Sequence, residues 1–220
     1  MISLKTAYYY ILAVKINFIK IFKKIYFTTG FYRKSLISKV PSQFFFFPNP
    51  FLMSCFSNYR KFAFKINDLD PNKFWFQNYS LKEKRELHNF LWLSSIDRKD
   101  NASTLRKIIS LWNLNNLKYK SLIWETSIIS KRIMSWILNA DIILKNSNFE
   151  FKRNFIESII IQTNHLKKNF KYEIDNQKKI QVITVLILSG LVFKEYEENY
   201  EYSLKELEKL IETFFDDKGF

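Results

Sequence analysis

The side chains able to do chemistry are few, and their spacing limits what they can do together. Imidazole and thiol are supplied by His88, His165 and Cys55 alone. A single thiol rules out an intramolecular disulfide framework and a thiolate cluster, and two scattered imidazoles do not make an autonomous metal centre. No metal and no cofactor is therefore expected of this chain. His88 falls on an apolar helix face and reads as a core histidine. His165, beside Asn164, reads as a surface residue with no assignable carboxylate partner. Glu125 and Arg132 are near enough in sequence to pair across about two helical turns. The best supported polar group is Asp175-Asn176-Gln177, because it leads into the most apolar run of the chain, Ile180 to Phe193. A rigid base with a polar mouth is a place where a site can be built.

Positioning that mouth requires helices. From Ile180 to Phe193 only Gln181, Thr184, Ser189 and Gly190 interrupt the apolar character, which predicts a core helix buried on almost every side. At about 1.5 Å per residue it spans roughly 21 Å, too short for a bilayer core of about 30 Å. Upstream, Ser80 and Glu83 stand at capping-box spacing ahead of Leu87, Phe90 and Leu91. Leu105, Ile108, Ile109 and Trp112 mark a second helix. A third, from about Thr126, carries Ile129, Ile133, Trp136, Ile137, Ala140 and Leu144 on one stripe. A fourth, about 151–170, carries Phe155, Ile156, Ile159, Ile160, Thr163 and Leu166. Ser203 and Glu206 predict a capping box opening a sixth, with Leu207, Leu210, Ile211, Phe214 and Phe215 inside. Short connections between amphipathic helices call for antiparallel neighbours, hence an array of helical hairpins.

The first 79 residues differ from this pattern and form a basic, aromatic lead-in. Residues 1 to 65 hold eleven Lys/Arg and no Asp/Glu, whereas residues 194 to 218 carry a net charge of −5 within a chain of net +14. Such a field favours a polyanion, whether nucleic acid, anionic lipid or acidic polysaccharide. The alternative explanation for much of the Lys excess is an AT-rich coding bias, which the abundance of Lys, Asn, Ile and Phe resembles. Leu4, Tyr8, Ile11, Val14, Phe18, Ile21, Phe22 and Ile25 predict an amphipathic helix. Packing on its own domain is the preferred reading, and a basic helix on a membrane surface is the other. Neither a secretory signal nor a membrane-spanning segment is legible, which fits a cytoplasmic or peripheral-membrane location. From Pro41 to Phe76 the runs FFFF, KFAFKIND and FWF predict short strands or extended arms. Their interleaved rings and cations also suit a stacking surface for bases.

Four ordered patterns resemble the N-terminal part of the heparinase II/III-like polysaccharide lyases. They are Leu87-His88-Asn89-Phe90-Leu91-Trp92; Trp124-Glu125-Thr126 followed by Lys131-Arg132-Ile133-Met134-Ser135-Trp136-Ile137; Asp175-Asn176-Gln177; and Asp216-Asp217-Lys218-Gly219-Phe220. The likeness covers roughly residues 60 to 220, and KFAFKIND is similar to the family's short lead-in strands. The resemblance implies a mainly α fold, an incomplete (α/α) toroid of antiparallel hairpins over 80–220 after a short extended lead-in over 1–79. It also implies β-elimination on a uronic-acid polysaccharide, in which a fixed donor neutralises the sugar carboxylate and stabilises the developing enolate. By position Asn176 is similar to the family's carboxylate-binding Asn. Many relatives place His next, where Gln177 stands here. Trp124, Arg132 and Gln177 are then expected substrate contacts, while Trp136 reads as packing. The family's catalytic Tyr and His lie farther along the toroid and in a following β-sheet domain, and no tyrosine here matches that motif. The chain is thus expected to be a fragment, inactive alone, completed by the remainder as a separate chain, and periplasmic by resemblance. The alternative is a basic all-helical module that binds nucleic acid or an anionic membrane.

Overall fold

The structure, a computed structural model, describes residues 4–49, 52, 70–96 and 102–214. Cys55, the whole of KFAFKIND and the Asp216–Phe220 motif lie outside the described residues. Among those described there is no strand, and the fold is mainly α. Two helices open the chain, α1 (Leu4–Thr28) and α2 (Gly30–Leu36), the second capped by Thr29, whose hydroxyl accepts from the Tyr32 N–H. Residues 37–49 run without regular structure. The FWF segment, expected to be extended, instead closes a short helix, α3 (Pro71–Phe74), started by Asp70 and by Pro71 in the first turn, where a missing N–H costs nothing.

The capping box at Ser80 and Glu83 forms as expected and starts α4 (Leu81–His88). After one 3-10 turn come α5 (Ala102–Asn116) and α6 (Thr126–Leu138). The stripe expected to continue to Leu144 as one helix is interrupted at Asn139, whose backbone leaves the helical region before α7 (Ala140–Leu144) begins. Then follow α8 (Phe149–Asn169), α9 (Asn176–Val192) and α10 (Glu197–Phe214). The expected capping box of the last helix does not form. The helix starts at Glu197, six residues before Ser203, after a 3-10 turn at Lys194–Tyr196, and Ser203 sits inside it with its hydroxyl donated to Asn199 O.

The centre of the molecule is α6, which packs against α8, α9, α4 and the 3-10 turn at Leu91–Ser95. Phe90, Trp112, Trp136 and Phe155, all fully buried, interlock there with ring centroids 5.1 to 6.0 Å apart. Tyr32, Leu36, Phe44 and Phe74 belong to the same continuous core, so the lead-in is joined to the helical body. Helix α9 is buried at Val182, Ile183, Val185, Leu186, Ser189, Gly190 and Val192, while Ile180 and Leu191 are exposed. Its enclosure is therefore less complete than the apolar run implies.

Helix α10 runs back along α9 at very short range, because Gly190 has no side chain. A Cβ there would lie 2.6 Å from the Tyr200 backbone nitrogen and 2.7 Å from its Cβ. Backbone cannot swing aside as a flexible side chain can. Gly190→Ala should therefore destabilise the protein by about 1–3 kcal/mol despite alanine's better helix propensity. Urea unfolding would read this as a lower midpoint; an unchanged or raised midpoint would mean that α10 shifts freely.

Candidate functional site

The α8–α9 connection is built from local capping. After α8, a 3-10 turn at Phe170–Tyr172 leads to Glu173, whose Oε2 accepts from the Thr126 hydroxyl at 2.9 Å and ties the loop to the first residue of α6. Asp175 caps α9 by accepting from the Lys178 N–H at 3.2 Å, and Lys178 Nζ lies 3.5 Å from its other oxygen. These contacts hold the Asp175 carboxyl below its usual range, chiefly through the backbone hydrogen bond from Lys178. Asn176 is the first residue of α9 and half-buried, and its side-chain amide makes no hydrogen bond to another described residue. Gln177 is exposed beside it.

Two cations stand on the ring that precedes this mouth. Lys23 Nζ stands 3.5 Å from the Tyr172 ring centroid and Lys171 Nζ 4.9 Å from it. Glu125, at the start of α6, is held by Arg85 in a two-pronged pair, with Nη2 to Oε1 at 2.9 Å. Arg132, near enough in sequence to have paired with Glu125, is instead turned away into the core. The carboxylates nearest Asn176 in sequence, Glu173 and Asp175, are both engaged by protein donors. What remains for a solute is the Asn176 amide, on a connection that also carries Lys171 and Lys178, a setting suited to an anion.

The other sequence-selected residues are not at this surface. Arg132 is fully buried, with Nε on Gln162 Oε1 at 2.7 Å, Nη1 on His88 O at 2.8 Å, and Nη1 and Nη2 each 3.3 Å from Ile123 O. Its Cζ lies 4.2 Å above the Trp112 ring. Trp124 is buried, its indole N–H donated to Asn116 O at 3.0 Å. The structure thus places Trp124 and Arg132 in the interior and only Asn176 and Gln177 at the α9 mouth.

His88 is the core residue expected, stacked on Trp75 and accepting from the Trp112 indole N–H at Nδ1, 2.9 Å away. His165 is not at the surface as expected but buried, with Nδ1 2.7 Å from the Tyr32 hydroxyl. Phe27, Tyr32, Tyr119 and Trp124 enclose its ring. Burial, reinforced by the charge of Arg132, pushes both imidazoles down to about 3. These rings come from α1, α2, the α5–α6 connection and α8, a convergence that helical periodicity does not reveal.

A cleft of about 600 Å³ lies elsewhere, between α3, α5 and the α7–α8 turn, and its walls include Asn72, Arg106, Lys107, Asn146 and Phe151. Arg106 is partly engaged there, donating to Lys145 O at 2.6 Å. None of the sequence-selected residues lines it. Among the described residues no group of three or more His, Cys, Asp or Glu comes together as a metal site. Comparison of the chain with protein-family models, with curated proteins and with solved structures returns no match.

Proposed function

We propose that the chain is the N-terminal, substrate-presenting part of a heparinase II/III-like lyase, an incomplete (α/α) toroid whose α9 mouth binds a uronate of an acidic polysaccharide. The observation that carries this reading is the position of Asn176. The residue that the resemblance assigns to the carboxylate opens a rigid helix, half-exposed, with an uncommitted amide and with Lys23, Lys171 and Lys178 in the adjoining structure. An amide N–H donated to a carboxylate there would withdraw charge from the acid and ease loss of the C5 proton, the hard step of elimination. Proton transfer itself needs a base and an acid within reach. The resemblance puts those groups in portions of the family that this chain does not match, so binding without turnover is expected of it alone. Arg132 and Trp124 serve this reading by holding α6, not by touching sugar.

Asn176→Ala should weaken retention of a polyuronate about 10-fold, the cost of one hydrogen bond to a charged group, while leaving unfolding by urea unchanged. Affinity electrophoresis through gels containing the polymer measures the first, and Asn176→Asp should be weaker still. Equal retention of all three proteins would remove Asn176 from the role. Elimination, read as ultraviolet absorbance of unsaturated uronate, should be absent.

A further inference from the structure

Helix α1 is amphipathic in the reverse sense of a core helix. At about 3.6 residues per turn, Val14, Phe18, Ile21, Phe22 and Ile25 share one stripe, and Phe27 and Lys23 lie on the other side. It is this second side that meets the body of the protein. Phe27 packs on Tyr32, Tyr119 and the His165 ring, and Lys23 covers the Tyr172 ring. The apolar stripe points away from the body, and each of its five residues is between 51% and 60% exposed. The expectation that the helix buries its apolar face in its own domain is overturned for these residues. Tyr9, Tyr10, Ile19 and Tyr26 add further exposed apolar surface along the same helix, and Phe31 does so at the start of α2.

We propose that α1 is an in-plane membrane helix that seats this stripe in an anionic lipid surface. Charge selects the occupant. The helix carries Lys5, Lys15, Lys20, Lys23 and Lys24 and no acid, and no acid occurs before Asp68. A lipid surface offers acyl chains to the stripe and phosphates to the flanking amines within one interface, which is how basic amphipathic helices bind. A second α1 would satisfy the stripe but set lysines against lysines. Nucleic acid would satisfy the lysines and leave the stripe wet. No helix among the described residues is long and apolar enough to cross a membrane, so the helix lies along the surface. Over its 25 residues that gives a contact line of about 37 Å.

The test is co-sedimentation of the full chain with phosphatidylcholine vesicles, with and without phosphatidylserine. Binding to the anionic vesicles only is expected, weakening with added salt. Phe18→Ser/Phe22→Ser should reduce it at least about 10-fold, since two exposed rings lose their acyl contact. Lys15→Gln/Lys24→Gln should reduce it by about fivefold per lysine. Both pairs are exposed in the folded protein, so unchanged circular dichroism and urea midpoints are expected of both variants. Absence of vesicle binding overturns the proposal. So does vesicle binding that Phe18→Ser/Phe22→Ser leaves intact, as it would be if lysines bound any polyanion, RNA included. Concentration-dependent self-association abolished by Phe18→Ser/Phe22→Ser, with no uptake on vesicles, would assign the stripe to a second copy instead and equally overturn it.

Discussion

Arg132→Ala is expected to cost about 3–5 kcal/mol, enough to unfold much of the population of a typical domain. The guanidinium is fully buried and no carboxylate is among its described partners. Its charge is held by three neutral oxygens, Gln162 Oε1, His88 O and Ile123 O, and by the face of Trp112. Desolvation pushes its pKa far down. These acceptors come from α8, the end of α4 and the segment before α6, so one side chain joins three parts of the chain. Removing it leaves each oxygen buried without a donor, at about 1–3 kcal/mol apiece before relaxation, and opens a cavity beside Trp112. Arg132→Lys keeps the charge but replaces a planar fork by a single amine, which cannot reach three acceptors lying in different directions. It should therefore lose more than half as much stability as alanine. Arg132→Met fills the volume and leaves the oxygens orphaned, so it should fall between wild type and alanine. Urea denaturation of the three variants gives the order; a loss under about 1 kcal/mol for Arg132→Ala would mean that water reaches these carbonyls.

The same residue shows where sequence reading stops. Arg132 belongs to a helix whose stripe, Ile129, Ile133, Trp136 and Ile137, was legible and is buried as expected. Nothing in a local pattern says that the flank carrying Arg132 is covered as well. That cover comes from α8 through Gln162 and from the carbonyls of His88 and Ile123 earlier in the chain, contacts that span 9 to 44 residues. His165 failed for the same reason. Along α8 one stripe was legible, but α6 and α9 take one flank while Tyr32 and Leu36 of α2 take another, 133 and 128 residues away in sequence. Caps were read well where the hydroxyl stood ahead of the helix, as at Ser80. They were misread at Ser203, where the 3-10 turn at Lys194–Tyr196 had already started the helix. The loop before α9 was legible because an abrupt change from polar to apolar residues is itself a boundary. Its cations were not, since Lys23 arrives from α1.

Acidification should weaken the fold from about pH 6.5 downwards, well before most carboxylates titrate. His165 and His88 are pushed down to about 3 in the native protein, first by burial and then by the neighbouring Arg132 charge, against 6.5 in an unfolded chain. Between those values the unfolded state binds more protons than the native state. The histidine contribution is therefore complete above pH 6.5, falls as pH falls, and levels off near pH 3, where both states are protonated. Each histidine held neutral contributes up to about 1.4 kcal/mol per pH unit within that window. The Tyr32 hydroxyl, raised to about 12 by burial, stays protonated and can donate to His165 Nδ1, 2.7 Å away, while Asn169 donates to the Tyr32 oxygen at 3.0 Å. With the His165 ring proton on Nε2 this arrangement is satisfied, and protonating Nδ1 would force the Tyr32 hydroxyl to turn away. His165→Gln keeps an acceptor for Tyr32 and cannot titrate, so it should halve the pH slope of the urea midpoint between pH 6.5 and 5. Glu83 and Asp175, both held below the ordinary carboxylate range by hydrogen bonds, give up their own contribution only as the pH falls from that ordinary range downwards, which leaves pH 6.5 to 5 to the histidines. A midpoint flat from pH 7 to 5, or a slope that His165→Gln does not change, would place a route for solvent into the ring cage of Phe27, Tyr119 and Trp124.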